Sequence, residues 1–300
     1  MLELPSPGLP DFDYVRAVTP EEVTDLLLQH PDDARMFMGG TDIFVQMRDG
    51  VLAPKVLIDV KHLPGMVDIA FDPQNGLSLG AAVDMNSLAR HPAVLEHYPI
   101  LAEATHTVAS YQIRTRATMG GNLCNASPAA DTAPVALVLE AVFVAHGPDG
   151  ERHIPATEFF LDVGKSALAP GEFLVRIDFP GPPAGWAGRY LKLGRNAQGD
   201  LAIVGVSAMG YPDDTAASGY RFRIALASVA PTPIRVPDTE DALAQGPITD
   251  QSLSAAAAAA RDTARPIDDV RASARYRQEM VEVLTRRALD DVWTRLSKER

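Results

Sequence analysis

The segment TMGGNLCNASPAAD (residues 118–131) constrains this 300-residue chain more than any other. Two adjacent glycines follow an extended run, and small polar residues then lead to an acid ahead of an apolar helical pattern, VALVLEA. A glycine pair leaves backbone N–H groups open to close approach by a ligand, because no Cβ stands in the way. Ser127 and Asp131 read as helix N-caps, and Pro128 and Pro134 suit a first helical turn. Amides grouped beside a helix N-terminus favour an anion, most often a phosphate. A shorter version stands upstream at Met38, Gly39, Gly40, Thr41 and Asp42, after the apolar run MFM and before a second helical pattern. One such loop alone reads as a tight turn. Two with the same strand–Gly–Gly–polar–helix layout point to a dinucleotide held between paired phosphate-cradling loops.

Other nucleotide signatures find no support. No G-x-G-x-x-G occurs, so a Rossmann crevice is not indicated. Gly164-Lys165-Ser166 has the look of a P-loop end, but the glycine required five residues before Gly164 is Phe159. A loop residue pattern accounts for it.

The chain's length suits two or three modules better than one compact core. At 46% hydrophobic it is globular, and its formal net charge of −12 argues against nucleic-acid binding, which needs a basic face for phosphates. The N-terminal stretch MLELPSPGLPDFDY has neither a basic nor an apolar leader region. The longest apolar run, PVALVLEAVFVA, is short and carries Glu140, so no transmembrane segment is expected and a cytoplasmic location follows. Cys124 is the single cysteine, which excludes an intrachain disulfide and an all-cysteine iron–sulfur cluster in this chain. It reads as a small, partly buried filler rather than a reactive thiol. The histidines, at 30, 62, 91, 97, 106, 146 and 153, form no metal-ligand spacing. Neither metal ligands nor catalytic acid/base residues are assigned.

Along the chain, residues 19–22 (TPEE) form a capping box that starts a helix with Val23, Leu26 and Leu27 on its inner face. MFM (36–38) and KVLIDV (55–60) read as strands around the helix TDIFVQMRD, ended by Gly50. This defines a first module over 1–60. A second, over 61–180, holds a strand at 77–83, helices at 86–90 and 101–109, the main glycine motif, and strands in AVFVAHG and EFLVRIDFP. The Pro/Gly-rich stretch PGPPAGWAG (180–188) is the clearest linker. In the third module, 186–300, YRFRI and ALASV alternate as strands, with Tyr220, Phe222 and Ile224 on one face. An alanine-rich helix at 253–264 follows, then a long helix from about Asp269. On that helix Val281, Leu284, Ala288, Val292 and Leu296 form a packing stripe.

Nearly end to end, the chain resembles the FAD-binding medium subunit of the molybdenum hydroxylases, the family of xanthine dehydrogenase and aerobic carbon monoxide dehydrogenase. The resemblance is carried by MGGTDIFVQMRDG (38–50), QIRTRATMGGNLCNASPAAD (112–131), FLDVGKSALAPGEFL (160–174), YLKLGRNAQGDLAIVG (190–205), ASVAPTPIRV (227–236) and DDVRASARYRQEMVEVLTRRAL (268–289). It implies an α+β fold: two α/β subdomains forming a PCMH-type FAD-binding unit, then a C-terminal antiparallel sheet with helices. It also implies a non-covalent FAD, with Phe37, Met38, Gly39, Gly40, Thr41, Asp42 and Ile43 wrapping the pyrophosphate. Thr118, Gly120, Gly121 and Asn122 would complete that cradle. Asn125 and Asp131 would bind the ribityl and adenosine side. Ala109 would be small where the flavin passes, Leu168 would pack on an apolar part of the cofactor, and Lys192 would lie near the isoalloxazine. Without the resemblance, Lys192 reads as a solvated strand-edge lysine.

Two departures stand out. Thr115 occupies a position where the family often has asparagine after Ile-Arg, and Leu201 stands where some relatives place an aromatic residue over the flavin. By resemblance, electrons arrive from a molybdenum-cofactor large subunit through a small subunit with two [2Fe–2S] clusters. They leave to NAD⁺, oxygen or another acceptor, within a dimer of heterotrimers. Two rivals remain: a stand-alone FAD-dependent oxidase, and a flavin-free scaffold subunit. Bound flavin would exclude the scaffold, and turnover by the isolated chain would exclude the relay.

Overall fold

The structure, a computed structural model, describes residues 8–298. The first seven residues, half of the stretch read for a leader, and the last two lie outside the described residues. The first module contains β1 (Asp13–Arg16), α1 (Pro20–Gln29), β2 (Ala34–Phe37), α2 (Ile43–Arg48) and β3 (Val56–Asp59). Thr19 caps α1 by accepting from the Glu22 N–H at 3.2 Å. The Glu22 carboxylate reaches back to the Val18 N–H at 2.8 Å, one residue upstream of the usual partner in a capping box. Strands β1 and β2 both run parallel to β3, in the order β1-β3-β2, and α1 and α2 supply the crossovers that parallel neighbours need. All four residues of β3 are buried, as a central parallel strand covered on both faces requires. The carboxyl end of β2 runs directly into the first Gly-Gly pair.

The second module begins with β4 (Ile69–Asp72) and β5 (Gly76–Gly80). A run of short helices follows: α3 (Met85–Arg90), α4 (Pro92–His97), α5 (Pro99–Thr107), α6 (Tyr111–Arg114), α7 (Met119–Cys124) and α8 (Thr132–Val138). Then come β6 (Val142–Gly147), β7 (Gly150–Pro155), α9 (Ala156–Phe159), β8 (Phe160–Asp162), β9 (Lys165–Ser166) and β10 (Phe173–Phe179). Five of these strands make an antiparallel sheet, β4-β5-β10-β6-β7. The Gly-Lys-Ser triplet lies in the small β8–β9 hairpin, where Gly164 takes a φ of 68°.

Two local expectations change here. The second Gly-Gly pair does not precede a helix but forms the first turn of α7, capped by Thr118, whose hydroxyl accepts from the Gly121 N–H at 3.0 Å. Ser127 starts only a turn, and Asp131 precedes α8 without capping it. The reason is tertiary: other partners claim the Asp131 carboxylate. Every residue of α8 is buried, so the helix is apolar all round and interior.

The C-terminal module contains β11 (Ala187–Leu193), β12 (Val204–Pro212), β13 (Tyr220–Ala227), β14 (Ile234–Arg235), α10 (Pro237–Ala244), α11 (Asp250–Thr263) and α12 (Ala274–Lys298). The strands form one antiparallel sheet in sequential order. YRFRI and the start of ALASV belong to the single strand β13. Helix α12 begins five residues later than expected, because the Asp269 carboxylate holds the chain in a turn. It accepts from the Arg271 N–H at 2.8 Å and from Arg277 Nη2 at 2.7 Å. The stripe Val281, Leu284, Ala288, Val292 and Leu296 is buried as read.

Two apolar clusters share this sheet. Tyr190, Met209 and Ala225 face the cluster of the first two modules, while Val206, Ala208 and Ile224 belong to the cluster of the C-terminal helices. The sheet is thus the middle layer between α5 and α8 on one side and α10 and α12 on the other, with α11 packed on α12 and α10.

Candidate cofactor-binding site

The two glycine motifs meet. A Cβ built on Gly39 would lie 1.9 Å from the Arg116 carbonyl oxygen, so the first motif packs backbone to backbone against the segment that enters the second. Met38 Sδ accepts from the Thr118 hydroxyl at 3.6 Å, and Asn125 Nδ2 donates to Asp42 Oδ1 at 3.5 Å. Between the motifs opens a cleft of about 630 Å³, within the range of small-molecule sites.

Gly39, Gly40, Thr41 and Asp42 belong to no helix or strand, and among the described residues their amide N–H groups donate to no protein acceptor. Buried or cleft-lining amides are almost always paired, and four in succession make a cradle for anionic oxygens. Gly40 has a φ of 76°, the left-handed region that turns successive amides toward one side. The same cleft is also lined by the apolar groups of Val108, Ala109, Ile113 and Leu201. The cleft therefore suits a ligand with both an anionic and an apolar part. A flavin dinucleotide has that chemistry.

At one wall, Asp131 is 5% exposed. Its Oδ1 accepts from the Tyr190 hydroxyl at 2.7 Å and its Oδ2 from Lys192 Nζ at 2.7 Å, while the same ammonium donates to the Thr107 carbonyl at 2.9 Å. Burial pushes the Asp131 carboxyl above its usual range, against the pull of the Lys192 charge and the hydrogen bonds from Lys192 and Tyr190. Burial, the Asp131 charge and the hydrogen bond to it raise the Tyr190 phenol well above its usual value, so Tyr190 remains a donor. Arg114, also buried, donates to the carbonyls of Val108 at 2.8 Å and Ala109 at 3.2 Å, and so fixes a wall at which Ala109 adopts a φ of 42°. Burial pushes the Cys124 thiol up to about 12, which leaves almost no thiolate at neutral pH.

All but three of the residues singled out from sequence line the cleft. Gly120 does not; its amide donates to the Ala81 carbonyl at 3.2 Å, and a Cβ there would strike the same oxygen. Leu168 packs partly buried against the main cluster, away from the cleft lining. Lys192 reaches the cleft wall only through Asp131. Sequence reasoning missed Tyr190, although its position two residues from Lys192 puts both on one face of a strand. It also passed over Arg35, Gln46 and Asp200, wall residues that carry no motif signal.

A loop of unpaired backbone amides that faces a capped glycine turn across one cleft defines a dinucleotide-binding protein, built by a small parallel sheet and an antiparallel one acting together. Residues 10–182 match the family model described as the FAD binding domain in molybdopterin dehydrogenase, and residues 189–292 match the CO dehydrogenase flavoprotein C-terminal domain. The chain is 32% identical to the carbon monoxide dehydrogenase medium chain of Hydrogenophaga pseudoflava, over 95% of its own length and 98% of that chain. It is 30% identical to the putative xanthine dehydrogenase FAD-binding subunit of Escherichia coli K12, over 93% and 94% of the two lengths. A solved structure of the Hydrogenophaga pseudoflava carbon monoxide dehydrogenase superposes with a TM-score of 0.91 at 33% identity, covering 96% of this chain and 99% of that one. The chain belongs to the FAD-binding medium subunits of the molybdenum hydroxylases, and is an oxidoreductase subunit.

Proposed function

We propose that this chain is the electron-relay subunit of a multi-subunit molybdenum hydroxylase. It would take electrons from [2Fe–2S] clusters in a small partner subunit, which receives them from a molybdenum-cofactor large subunit, and deliver them to NAD⁺, oxygen or another acceptor. The observation that carries this reading is the cradle of unpaired amides at residues 39–42, facing the second glycine motif across the cleft. Bound non-covalently, FAD accepts electrons singly and gives them up in pairs, which suits a junction between one- and two-electron carriers.

The chain's own residues bind and orient. The amides of Gly39 to Asp42 neutralise pyrophosphate charge, and Thr118 holds the α7 turn that presents Gly121 and Asn122. Asn125 and Asp131 supply side-chain hydrogen bonds along the cofactor, and Lys192 places a cation behind Asp131. Ala109 and Leu201 give the apolar end of the cleft. Leu168 packs on the neighbouring apolar cluster, and Gly120 fixes the α7 turn by its hydrogen bond to Ala81. Among the described residues no helix is long and apolar enough to cross a membrane, and no group of three metal-ligating side chains is assembled. A cytoplasmic dimer of heterotrimers is the assembly we propose.

The test is a visible absorption spectrum of the purified chain, repeated on the supernatant after acid precipitation. Released flavin is the expected result. Flavin retained in the pellet would mean covalent attachment and favour a stand-alone oxidase. No flavin after reconstitution with excess FAD would overturn the reading.

A further inference from the structure

Asp131 has a side chain turned by a distant strand rather than by its own helix. It precedes α8 but makes no capping bond there. Both of its oxygens instead take donors from β11, one from Tyr190 and one from Lys192. Lys192 alone would anchor one oxygen and leave the carboxylate plane free to rotate. The Tyr190 hydroxyl supplies the second fixed point. Space for that hydroxyl is built into the neighbouring strand: a Cβ on Gly205, which pairs with Lys192 across β11 and β12, would lie 3.0 Å from it. Burying a carboxylate is costly unless its lone pairs are met, so each of these donors matters.

We propose that Tyr190 is a positioning residue for the cofactor: its hydroxyl holds the Asp131 carboxylate in place at the cleft wall for FAD. This rests on the FAD reading above. The charged and titratable groups around Asp131 are few. From β11 come Tyr190 and Lys192, with Arg189 turned to Glu103 and Asp291. From α5 come Thr107, whose carbonyl accepts from Lys192, and Glu103, which accepts from Arg189 and from the Tyr190 N–H at 3.0 Å. From β12 comes the neutral Ser207, paired with Tyr190 in the ladder, and from α7 the neutral Asn122, which accepts from Thr132 at 2.7 Å. Asp131 is the carboxyl of this group that lines the cleft; burial pushes it up while the Lys192 charge and the hydrogen bonds from Lys192 and Tyr190 pull it down. Losing the Tyr190 hydroxyl therefore makes the carboxyl take up a proton more readily.

The test measures the FAD dissociation constant of the whole chain across the full pH range in which the fold persists, for the wild type and for Tyr190→Phe. In the variant the constant should match the wild type at the alkaline end and rise on the acid side. That limb should be displaced upward by about one pH unit, or about tenfold in affinity, the weight of one hydrogen bond to a charged group. Gly205→Ala, which crowds the hydroxyl without removing it, should move the limb the same way. Asp131→Asn should abolish the acid limb in either background. An acid limb unmoved by Tyr190→Phe, or an affinity change equal at all pH values, would overturn the proposal, because a purely structural tyrosine acts independently of pH. A wild-type chain that binds no FAD at any pH would instead remove the underlying FAD reading, and the proposal with it.

Discussion

At the scale of single residues, the site is governed by where a Cβ cannot go. A Cβ on Gly39 would meet the Arg116 carbonyl oxygen and carbon at 1.9 and 2.6 Å, backbone atoms that cannot swing aside. Gly39→Ala should therefore force the two motifs apart. We expect a stability loss of about 2–3 kcal/mol in equilibrium denaturation, together with at least tenfold weaker FAD binding. Gly50→Ala is the matched control. Its φ of 71° makes an alanine costly by about 1 kcal/mol, but nothing lies within 4 Å, so FAD affinity should stay as it is. Both motifs were legible in the sequence because glycine's part in them is local chemistry. Asp131 was legible as important but not in its role. An acid before an apolar helix reads as an N-cap, and only the folded chain shows that Tyr190 and Lys192 claim it.

At the scale of elements, periodicity decided what could be read. The α12 stripe recurs at helical spacing and was found. The Thr19 cap of the box read at α1 was found as well, worth about 1 kcal/mol, while the Glu22 half bonds one residue upstream. Strand β12 went unread because Gly205 and Gly210 interrupt its apolar pattern. Both are explained by neighbours: a Cβ at 205 would crowd the Tyr190 hydroxyl, and one at 210 would lie 2.9 Å from Leu296 and 3.0 Å from Val292. Strand β1, mostly exposed and polar, gains its identity only from pairing with β3 forty-three residues later. The start of α12 was misplaced because Asp269 serves the turn before it. Burial opposes that carboxylate, but donors from Arg271, Arg277 and Ala272 outweigh it and hold its acid form well below the usual range. A depressed carboxyl stabilises the fold at neutral pH, and that contribution fades as pH falls below about 4 toward the folded-state value. Asp269→Asn should lower the melting temperature at pH 7. The gap to wild type should narrow in acid, as a melting series from pH 7 to pH 3 would reveal. A gap independent of pH would count against this account.

At the scale of the whole molecule, the two apolar clusters lie on opposite faces of one sheet, and α8 ties them together. Pro128, just ahead of that helix, accepts from the Ser228 N–H at 2.7 Å. Its last carbonyls, on Leu137 and Val138, accept from Arg235 and Arg223 at 3.2 Å each. Calorimetry should accordingly show one unfolding transition for the full chain. FAD at a hundredfold excess over its dissociation constant should raise stability by about 2.7 kcal/mol. Two transitions, with FAD moving only the first, would mean that the modules melt separately.

The two matched regions, 10–182 and 189–292, invite treatment as exchangeable cassettes. Yet the junction between them divides the Asp131 cluster, leaving the carboxylate on one side and both of its donors on the other. Recombining halves from two relatives at that seam would graft one protein's acid onto another's strand. Only parents that match at positions 190, 192 and 205 should yield hybrids that hold cofactor, which makes these three positions the ones to inspect before any such cross is built.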